Sequence, residues 1–396
     1  MATIDRCFNI AELRKAAKKK LPAPIFHYVD GGSDDEWTLR RNTDAFEQWE
    51  VVPSMLTGAT DIDLSTRVFG QDVSLPFFIS PTGMSRLFHH HKELGVVRAA
   101  SKANTYYGLS AMGSSTIEEV AAAASGPKFF QVYVFRDRGL TQSFVDRCKE
   151  AQYDALCVTV DTAIAGNRER DIVTGMTIPP SFTARSLLNF AGKWSWLAGL
   201  SQNRDFTLAN LSENIDPRKT GALSIFDYVN QQFDPSISWT DISWLRGCWD
   251  GPLVIKGILS AEDAKQARSM GATAIMISNH GGRQLDSAPA PIDCIPAIRS
   301  AIGDDLELIV DGGIRRGSHI VKALALGASA CSIGRPYLYG LAAGGEAGVT
   351  KAIELLAEET RRCMLLAGYD SVQSLRGNSP VRRVGFCDDI SVASHR

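Results

Sequence analysis

The sequence lacks several features that mark other protein classes. Its eight cysteines are scattered without a C-x-x-C pair, which argues against a zinc ribbon, a redox dithiol and a disulfide framework. It has no apolar run of about 18 residues, so no transmembrane helix is expected, and the N-terminal segment has no apolar region typical of a secretory signal. A net charge of -2 gives no reason to expect nucleic acid as a partner. These absences together predict a cytoplasmic protein.

Eight short apolar runs, separated by stretches of helical character, dominate the rest of the sequence. Runs of this length, rich in β-branched residues, are typical of parallel strands buried on both faces. They are Pro76–Ser80, Tyr106–Ser110, Phe129–Tyr133, Leu156–Val160, Leu253–Lys256, Ala274–Ser278, Leu308–Asp311 and Ala330–Ile333. Eight strand–helix repeats predict an α/β fold, a (β/α)₈ TIM barrel, in a single domain over residues 1–396. An open doubly wound sheet is the alternative, but no G-x-G-x-x-G follows the first run.

Two regions fall outside the repeat. Residues 1–75 contain an amphipathic helix beginning at Ile10 and connecting segments that we expect to cap the barrel floor. Residues 162–252 are too long for one loop and form an insertion after strand four. Its segment Ser186–Leu200 is apolar and rich in tryptophan, with Lys193 inside it and Arg185 and Arg204 flanking it. It is either a lid over the active site, a contact with a neighbouring subunit, or a segment that lies on a membrane surface.

In a TIM barrel the chemistry is carried by residues at the C-terminal ends of the strands. Polar side chains or glycines follow every predicted strand here. In order they are Ser80 to Gly83, Ser110, Gln131 with Tyr133, Thr159 to Asp161, Lys256, Ser278 to Arg283, Asp311 to Gly313, and Gly334 with Arg335. The last two loops, with Arg315 and their glycines, resemble the phosphate-binding loops of such barrels. The run His89-His90-His91 has no second ligand group in view, so no metal site is predicted.

Several of these residues suggest specific roles. His280 is the best candidate for a general base, and Asp161 is suited to orienting it. Lys256 closes an apolar strand and is either a Schiff-base nucleophile or a fixed positive charge beside an electron-accepting ring. Arg283 and Arg168 offer two guanidinium groups for a carboxylate substrate, with hydroxyl donors from Tyr28 and Tyr133. The site predicts an anionic substrate, one base and one phosphate-bearing cofactor.

The residues from Ser278 to Asp286 form the motif SNHGGRQLD. It resembles the active-site motif of the FMN-dependent L-2-hydroxy-acid oxidase and dehydrogenase family. The resemblance runs from about Phe8 to Leu375. It also takes in Tyr28 with residues 31–36, and the motifs around Pro81, Gln131, Asp161, Lys256, Asp311 and Gly334.

The resemblance implies a role for each matching residue. His280 would take a proton from the substrate, with Asp161 supporting it. Arg283, Arg168 and Tyr28 would bind the substrate carboxylate, Tyr133 would contact its hydroxyl, and Lys256 would stabilise the reduced flavin. The remaining FMN contacts implied are Pro81, Thr82, Gly83, Ser110, Gln131, Thr159, Ser278, Asp311, Gly313, Arg315, Gly334 and Arg335.

Departures from the pattern narrow the substrate. Gly83 stands where the glycolate and lactate oxidases carry Ala, and Met112 replaces a Trp of glycolate oxidase. The chain looks most similar to the bacterial L-lactate dehydrogenases and to mandelate dehydrogenase. This implies oxidation of L-lactate to the 2-keto acid, with (S)-mandelate or another aromatic or longer L-2-hydroxy acid as the alternative.

The resemblance also implies a setting for the reaction. The electron acceptor would be a quinone, a cytochrome or oxygen. Peripheral contact with the inner face of the cell membrane and a homotetramer would follow from the relatives. Two other classes stay open on the residues alone: a phosphate-binding isomerase or aldolase using Lys256, and a non-catalytic membrane-associated binding protein.

Overall fold

A closed barrel of eight parallel strands forms the centre of the protein. The computed structural model describes residues 3–176, 190, 192–202, 207–212 and 231–385. In chain order the barrel strands are β4 (Phe77–Thr82), β5 (Tyr107–Ser110), β6 (Lys128–Val132), β7 (Ala155–Thr159), β8 (Leu253–Ile258), β9 (Ala274–Ser278), β10 (Glu307–Asp311) and β11 (Ala330–Ile333). Neighbouring strands pair in parallel, and β11 closes the barrel on β4. Each predicted run coincides with one barrel strand, so the (β/α)₈ prediction is confirmed.

Within the described part of the chain, four short strands lie outside the barrel: β1 (Trp49–Val51), β2 (Thr66–Val68), β3 (Gln71–Val73) and β12 (Val381–Arg383). The helices are α1 (Ile10–Lys20), α2 (Ala23–Asp30), α3 (Trp37–Asp44), α4 (Lys92–Lys102), α5 (Ile117–Ala123), α6 (Arg138–Glu150), α7 (Glu169–Thr174), α8 (Trp194–Gln202), α9 (Ala209–Ser212), α10 (Trp239–Cys248), α11 (Ala261–Ser269), α12 (Pro291–Ile302), α13 (Gly317–Ala325), α14 (Arg335–Ala367) and α15 (Val372–Asn378). The long helix α14 is broken at Gly344 and Gly345, whose backbone angles are not helical.

Local sequence explains where these elements begin. The predicted cap at Ser260 is present, because its hydroxyl accepts a hydrogen bond from the Asp263 amide at 3.1 Å. Thr116 and Glu119 form a capping box at the start of α5. The barrel strands are buried on both faces, as in β6, β7 and β9, and for this reason they read as continuous apolar runs rather than alternating ones.

The N-terminal segment occupies both ends of the barrel. The hairpin of β2 and β3 closes the floor, where the Phe69 ring packs edge-on against Phe78, Tyr106 and Phe129 at centroid distances of 5.7, 5.3 and 5.7 Å. Helix α2 instead ends at the opposite side, where Tyr28 lines the mouth of the barrel. The expectation of a floor cap is therefore right for the hairpin, while α2 contributes to the site.

The insertion after β7 contains α7, α8, α9 and α10 among its described parts. It returns to the barrel at Phe233, which forms an antiparallel bridge with Phe135. In α8, the Trp196 indole N–H donates to the Leu87 carbonyl at 2.8 Å, which fastens this helix to the loop after β4. Residues 177–189, 191, 203–206 and 213–230 lie outside the described residues, including Arg185, Arg204 and part of the tryptophan-rich segment. Of the helices described, none is long and apolar enough to cross a membrane.

Candidate active site

A cavity opens at the C-terminal end of the barrel, with about 1480 Å³ of space inside it and at its mouth. Its walls include the predicted site residues Tyr28, Pro81, Thr82, Gly83, Ser110, Gln131, Tyr133, Thr159, Arg168, Lys256, His280, Arg283, Asp311, Gly313, Arg315, Gly334 and Arg335. The other two predicted residues, Asp161 and Ser278, lie directly behind this surface and contact His280 and Lys256. Parallel strands deliver side chains to one end of the barrel, and this is why residues distant in sequence meet here.

His280 and Asp161 form a hydrogen-bonded pair. The Nδ1 atom of His280 lies 2.9 Å from Oδ1 of Asp161, which leaves Nε2 for another partner. His280 itself adopts a left-handed backbone conformation with φ of 57°, an uncommon state for a residue with a side chain. Burial works to raise the pKa of Asp161, but the neighbouring His280 and Lys256 outweigh burial and lower it. Asp161 is therefore ionised and fixes the orientation of the imidazole.

Lys256 is held as a cation by a buried network at the centre of the barrel. Its Nζ atom donates to Ser278 Oγ at 2.8 Å and lies 3.1 Å from Oδ2 of Asp311. Burial alone would lower the pKa of Lys256, but the charges of Asp311 and Asp161 raise it above its usual value. A lysine that stays protonated is a poor nucleophile, so this geometry disfavours the Schiff-base alternative and favours a fixed positive charge.

The carboxylate of Asp311 is bound by several side chains of the barrel strands. It accepts hydrogen bonds from Ser80 at 2.9 Å, from Ser278 at 2.7 Å and from Ser332. Burial opposes ionisation, yet Lys256 and these hydroxyls lower the pKa of Asp311 to about 2. Asp311 therefore holds the Lys256 ammonium group in place in the wall of the cavity.

Two guanidinium groups face the same side of the cavity. Arg283 and Arg168 lie over the Tyr28 ring, with their Cζ atoms 4.8 and 5.6 Å from its centroid. Burial lowers the pKa of Arg283 to about 10, with the Arg168 charge adding to the effect, so Arg283 remains charged at neutral pH. Arg168 has a carboxylate behind it, since its Nε lies 3.6 Å from Asp171. Two guanidinium groups beside one ring in this half-buried wall favour an anion as the ligand.

The cavity wall at the ends of β6 and β7 contains polar atoms that are suited to bind a ligand. Ser110 donates to Oε1 of Gln131 at 2.9 Å, and the amide nitrogen of Gln131 is buried without a hydrogen-bond partner among the described residues. The hydroxyl of Thr159 is in the same state. Buried polar groups are normally paired, so a polar group of a bound molecule is expected here. A flat heteroaromatic ring with carbonyl and N–H edges fits this donor and acceptor set.

The expected phosphate end differs in detail from a ready-made anion cradle. Arg335 donates to the carbonyls of Val29, Gly31 and Gly281 at 2.7 to 2.9 Å, and Arg315 donates to the Ile314 carbonyl at 2.7 Å. Both side chains are half-buried in the cavity wall, and burial lowers the pKa of each. The carbonyl contacts of Arg335 connect the end of β11 to helix α2 and to the loop after β9, whereas Arg315 bonds within its own loop.

Sequence reasoning did not assign the apolar wall or one of its polar residues. Phe88, Ile164, Phe233 and Met112 line the cavity. In the sequence, Met112 stands out only because it replaces a Trp of glycolate oxidase. The Phe233 ring packs edge-on against Tyr133 with 5.1 Å between centroids. Phe233 lies some 70 residues after β7, and only the fold of the insertion brings it back. Gln284, next to Arg283 in the recognised motif, also lines the cavity.

The three consecutive histidines do come together. Their ring nitrogens lie within 4.8 Å of one another. However, Nδ1 of His89 accepts a hydrogen bond from the His91 amide, and Nδ1 of His91 accepts one from the Glu346 amide, each at 3.1 Å. A neutral imidazole that accepts through Nδ1 carries its proton on Nε2 and offers no free lone pair to a metal. The absence of a metal site stays a prediction.

The fold and the cavity define a TIM-barrel enzyme with a histidine–carboxylate pair, a cationic wall for an acid and a cofactor site. The description "FMN-dependent dehydrogenase" belongs to the family model that matches residues 17–381. L-lactate dehydrogenase of Vibrio cholerae is 40% identical over 376 residues, covering 94% of this chain and 98% of the relative. L-lactate dehydrogenase of Pseudomonas aeruginosa is 39% identical over 375 residues, covering 94% and 98%.

Solved structures agree with the sequence relatives. The monotopic membrane protein (S)-mandelate dehydrogenase superimposes with a TM-score of 0.90 at 35% identity, covering 96% of this chain and 100% of that one. A mandelate oxidase superimposes with a TM-score of 0.81 at 37% identity, covering 95% and 98%. The chain belongs to the FMN-dependent dehydrogenase family. It is an FMN-dependent enzyme that oxidises a 2-hydroxy acid.

Proposed function

We propose that this enzyme oxidises L-lactate to the 2-keto acid, with His280 as the base. The observation that carries the proposal is that His280, with Asp161 bonded behind it, lines the same cavity as Arg168 and Arg283. The two guanidinium groups bind the substrate carboxylate, and Tyr28 and Tyr133 add hydroxyl contacts. A small acid held in this way presents its hydroxyl carbon to the cofactor site and its proton to His280.

His280 accepts the proton through Nε2, because Nδ1 is bound to Asp161. The buried carboxylate stabilises the imidazolium that forms, as in other histidine–carboxylate pairs. Burial, with the nearby Asp161 charge, raises the pKa of Tyr133, so its hydroxyl stays neutral and can donate to the substrate oxygen.

FMN, when bound, would accept the two electrons and the second hydrogen that leave the substrate, while His280 holds the first hydrogen as a proton. Lys256 places a permanent positive charge at the cofactor site, where it would stabilise a reduced, anionic ring. Gln131 and Thr159 supply the buried polar atoms that lack partners. The other residues that we assign to the cofactor are Pro81, Thr82, Gly83, Ser110, Ser278, Asp311, Gly313, Arg315, Gly334 and Arg335.

The apolar wall supports an aromatic hydroxy acid, such as (S)-mandelate, as a second candidate. Phe88, Met112, Ile164 and Phe233 form a surface that a methyl group alone would cover poorly. The sequence relatives named above support lactate, and the structural relatives support mandelate. The ratio of kcat/KM for the two acids decides between them.

We propose that a quinone or cytochrome accepts the electrons at the membrane surface. Two features support peripheral contact: the Trp194 side chain of α8 is 77% exposed, and a structural relative is a monotopic membrane protein. This contact is tested by measuring how much of the protein sediments with vesicles and how much sediments without them. We also propose a homotetramer, which sedimentation equilibrium in detergent tests.

The deciding experiment is anaerobic reduction of the bound flavin by L-lactate and by (S)-mandelate. We expect the wild-type protein to lose its visible flavin absorbance with at least one of the two acids. His280→Ala should stay yellow and resist bleaching, whereas His90→Ala, a histidine outside the cavity, should bleach like the wild type. Bleaching of His280→Ala at the wild-type rate would remove His280 from the mechanism.

A further inference from the structure

Gln284 bonds to the loop that follows β7 with every polar group of its side chain. Its Nε2 atom donates to the Asp161 carbonyl at 2.9 Å and to the Ile164 carbonyl at 2.8 Å. Its Oε1 atom accepts from the Gly166 amide at 3.0 Å. Three hydrogen bonds of good length thus connect the loop after β9 to residues 161–166.

The loop over residues 161–168 contains two of the groups assigned to the reaction. Asp161 at its start orients His280, and Arg168 at its end binds the substrate carboxylate. Between them, residues 163–165 are exposed and bury little surface that would hold them in place. The next fixed point is Asn167, which exchanges two hydrogen bonds with Asp34, both at 2.8 Å.

Gly166 shows how closely the two loops pack. A Cβ atom added at this position would lie 2.2 Å from the Arg283 carbonyl oxygen and 2.9 Å from Cα of Gln284. The backbone of one loop therefore rests directly on the backbone of the other, and the Gln284 amide bonds at this contact and at two residues before it.

We propose that Gln284 is a positioning residue. It keeps His280, the base, at a fixed position relative to Arg168 and Arg283, which bind the substrate carboxylate. By bonding at 161, 164 and 166 it holds the backbone of Asp161 under His280. The same bonds fix where the chain leaves toward Arg168, beside Arg283. The amide acts through these neighbours and takes no part in proton transfer. This inference rests on the proposed roles of His280 and Arg168, but its structural part is independent of them.

The structural part is tested by hydrogen exchange of the holoenzyme. Gln284→Met keeps the side-chain length and removes all three bonds. We expect backbone amides in residues 161–168 to exchange roughly 10-fold faster or more than in the wild type. Gln142→Met is the matched control, since Gln142 bonds to Asp146 on α6 and lies outside the cavity. Unchanged exchange in residues 161–168 of Gln284→Met would overturn the proposal.

The functional part is tested by the kinetics of flavin reduction. In Gln284→Met we expect kcat/KM to fall roughly 100-fold, because displacements of about 1 Å have such effects, with kcat and KM both affected. FMN content should stay at the wild-type level, since none of the three hydrogen bonds of Gln284 goes to a residue assigned to FMN. Gln284→Glu should not restore activity, because a carboxylate accepts from Gly166 but cannot donate to the two carbonyls.

The two arms separate the two proposals. A wild-type protein whose flavin no 2-hydroxy acid reduces would contradict the proposed function, while the exchange measurement would still decide the role of Gln284. Wild-type kcat/KM in Gln284→Met, or full activity in Gln284→Glu, would refute the positioning role.

Discussion

Replacing Gly83 with alanine tests how tightly the cavity wall is packed. An added Cβ atom would lie 2.8 Å from Cβ of Met112 and 3.0 Å from its carbonyl oxygen. Carbon atoms prefer separations of about 3.5–4.0 Å, so the overlap is roughly 0.7 Å or more. Met112 cannot simply rotate away, because the clash involves its backbone and its first side-chain atom. In addition, its carbonyl accepts the Met84 amide at 2.9 Å.

The cost of such overpacking is typically about 1–3 kcal/mol. We therefore expect Gly83→Ala to lower the free energy of unfolding by this amount and Tm by a few degrees. The assay is thermal and urea unfolding of the FMN-loaded protein, followed by circular dichroism. The same variant should lose kcat/KM for the larger acid more than for the smaller one, because Met112 is pushed along the apolar wall.

Gly247→Ala provides the matched control. Gly247 lies in α10, and a Cβ atom there meets nothing within 4 Å. The same substitution should stabilise the protein by up to about 1 kcal/mol through helix propensity. Opposite signs at the two positions are expected. If Gly83→Ala unfolds at or above the wild-type temperature, the wall is softer than the geometry implies and the reasoning fails.

Three further predictions follow from the site. Asp161→Asn should slow flavin reduction about 10³-fold, because a charge pair about 4 Å apart at an effective dielectric of 20 contributes about 4 kcal/mol to stabilising the His280 imidazolium; a fall under tenfold in stopped-flow experiments would contradict this. The folded-state pKa of Asp311, lowered from 3.8 to about 2, contributes about 2 kcal/mol above pH 4, which is lost as the pH falls through 2. The stability deficit of Asp311→Asn in urea unfolding should therefore shrink between pH 7 and pH 3, and a constant deficit would argue against the Lys256 pairing. Arg168→Met should raise KM for the hydroxy acid roughly 10- to 100-fold with FMN affinity unchanged, and an unchanged KM would remove Arg168 from the clamp.

Much of the barrel was readable in the sequence because its signals are local. A strand such as Ala274–Ser278 is almost entirely apolar, since both of its faces are buried. The start of helix α11 is predicted by Ser260, which caps it. Once the eight repeats are recognised, parallel topology alone brings Lys256 and His280 to one end. The class of chemistry follows from residue types at those ends, and the family resemblance supplied their individual roles.

Other features depend on contacts that no local pattern encodes. Phe233 contacts Tyr133 because the chain returns to the barrel at the end of the insertion. Tyr28 contacts Arg283 because α2 ends at the same side of the barrel. The prediction that residues 1–75 cap the barrel floor was incomplete for the same reason, because no local pattern shows to which end of the barrel α2 packs. Sequence by itself determined the barrel and the end of it at which His280, Asp161 and Lys256 meet, because strand burial and strand-end chemistry repeat along the chain. Tertiary structure alone decided the apolar wall, the buried network around Lys256 and the contacts of Gln284, because each of these depends on distances between loops that are far apart in sequence.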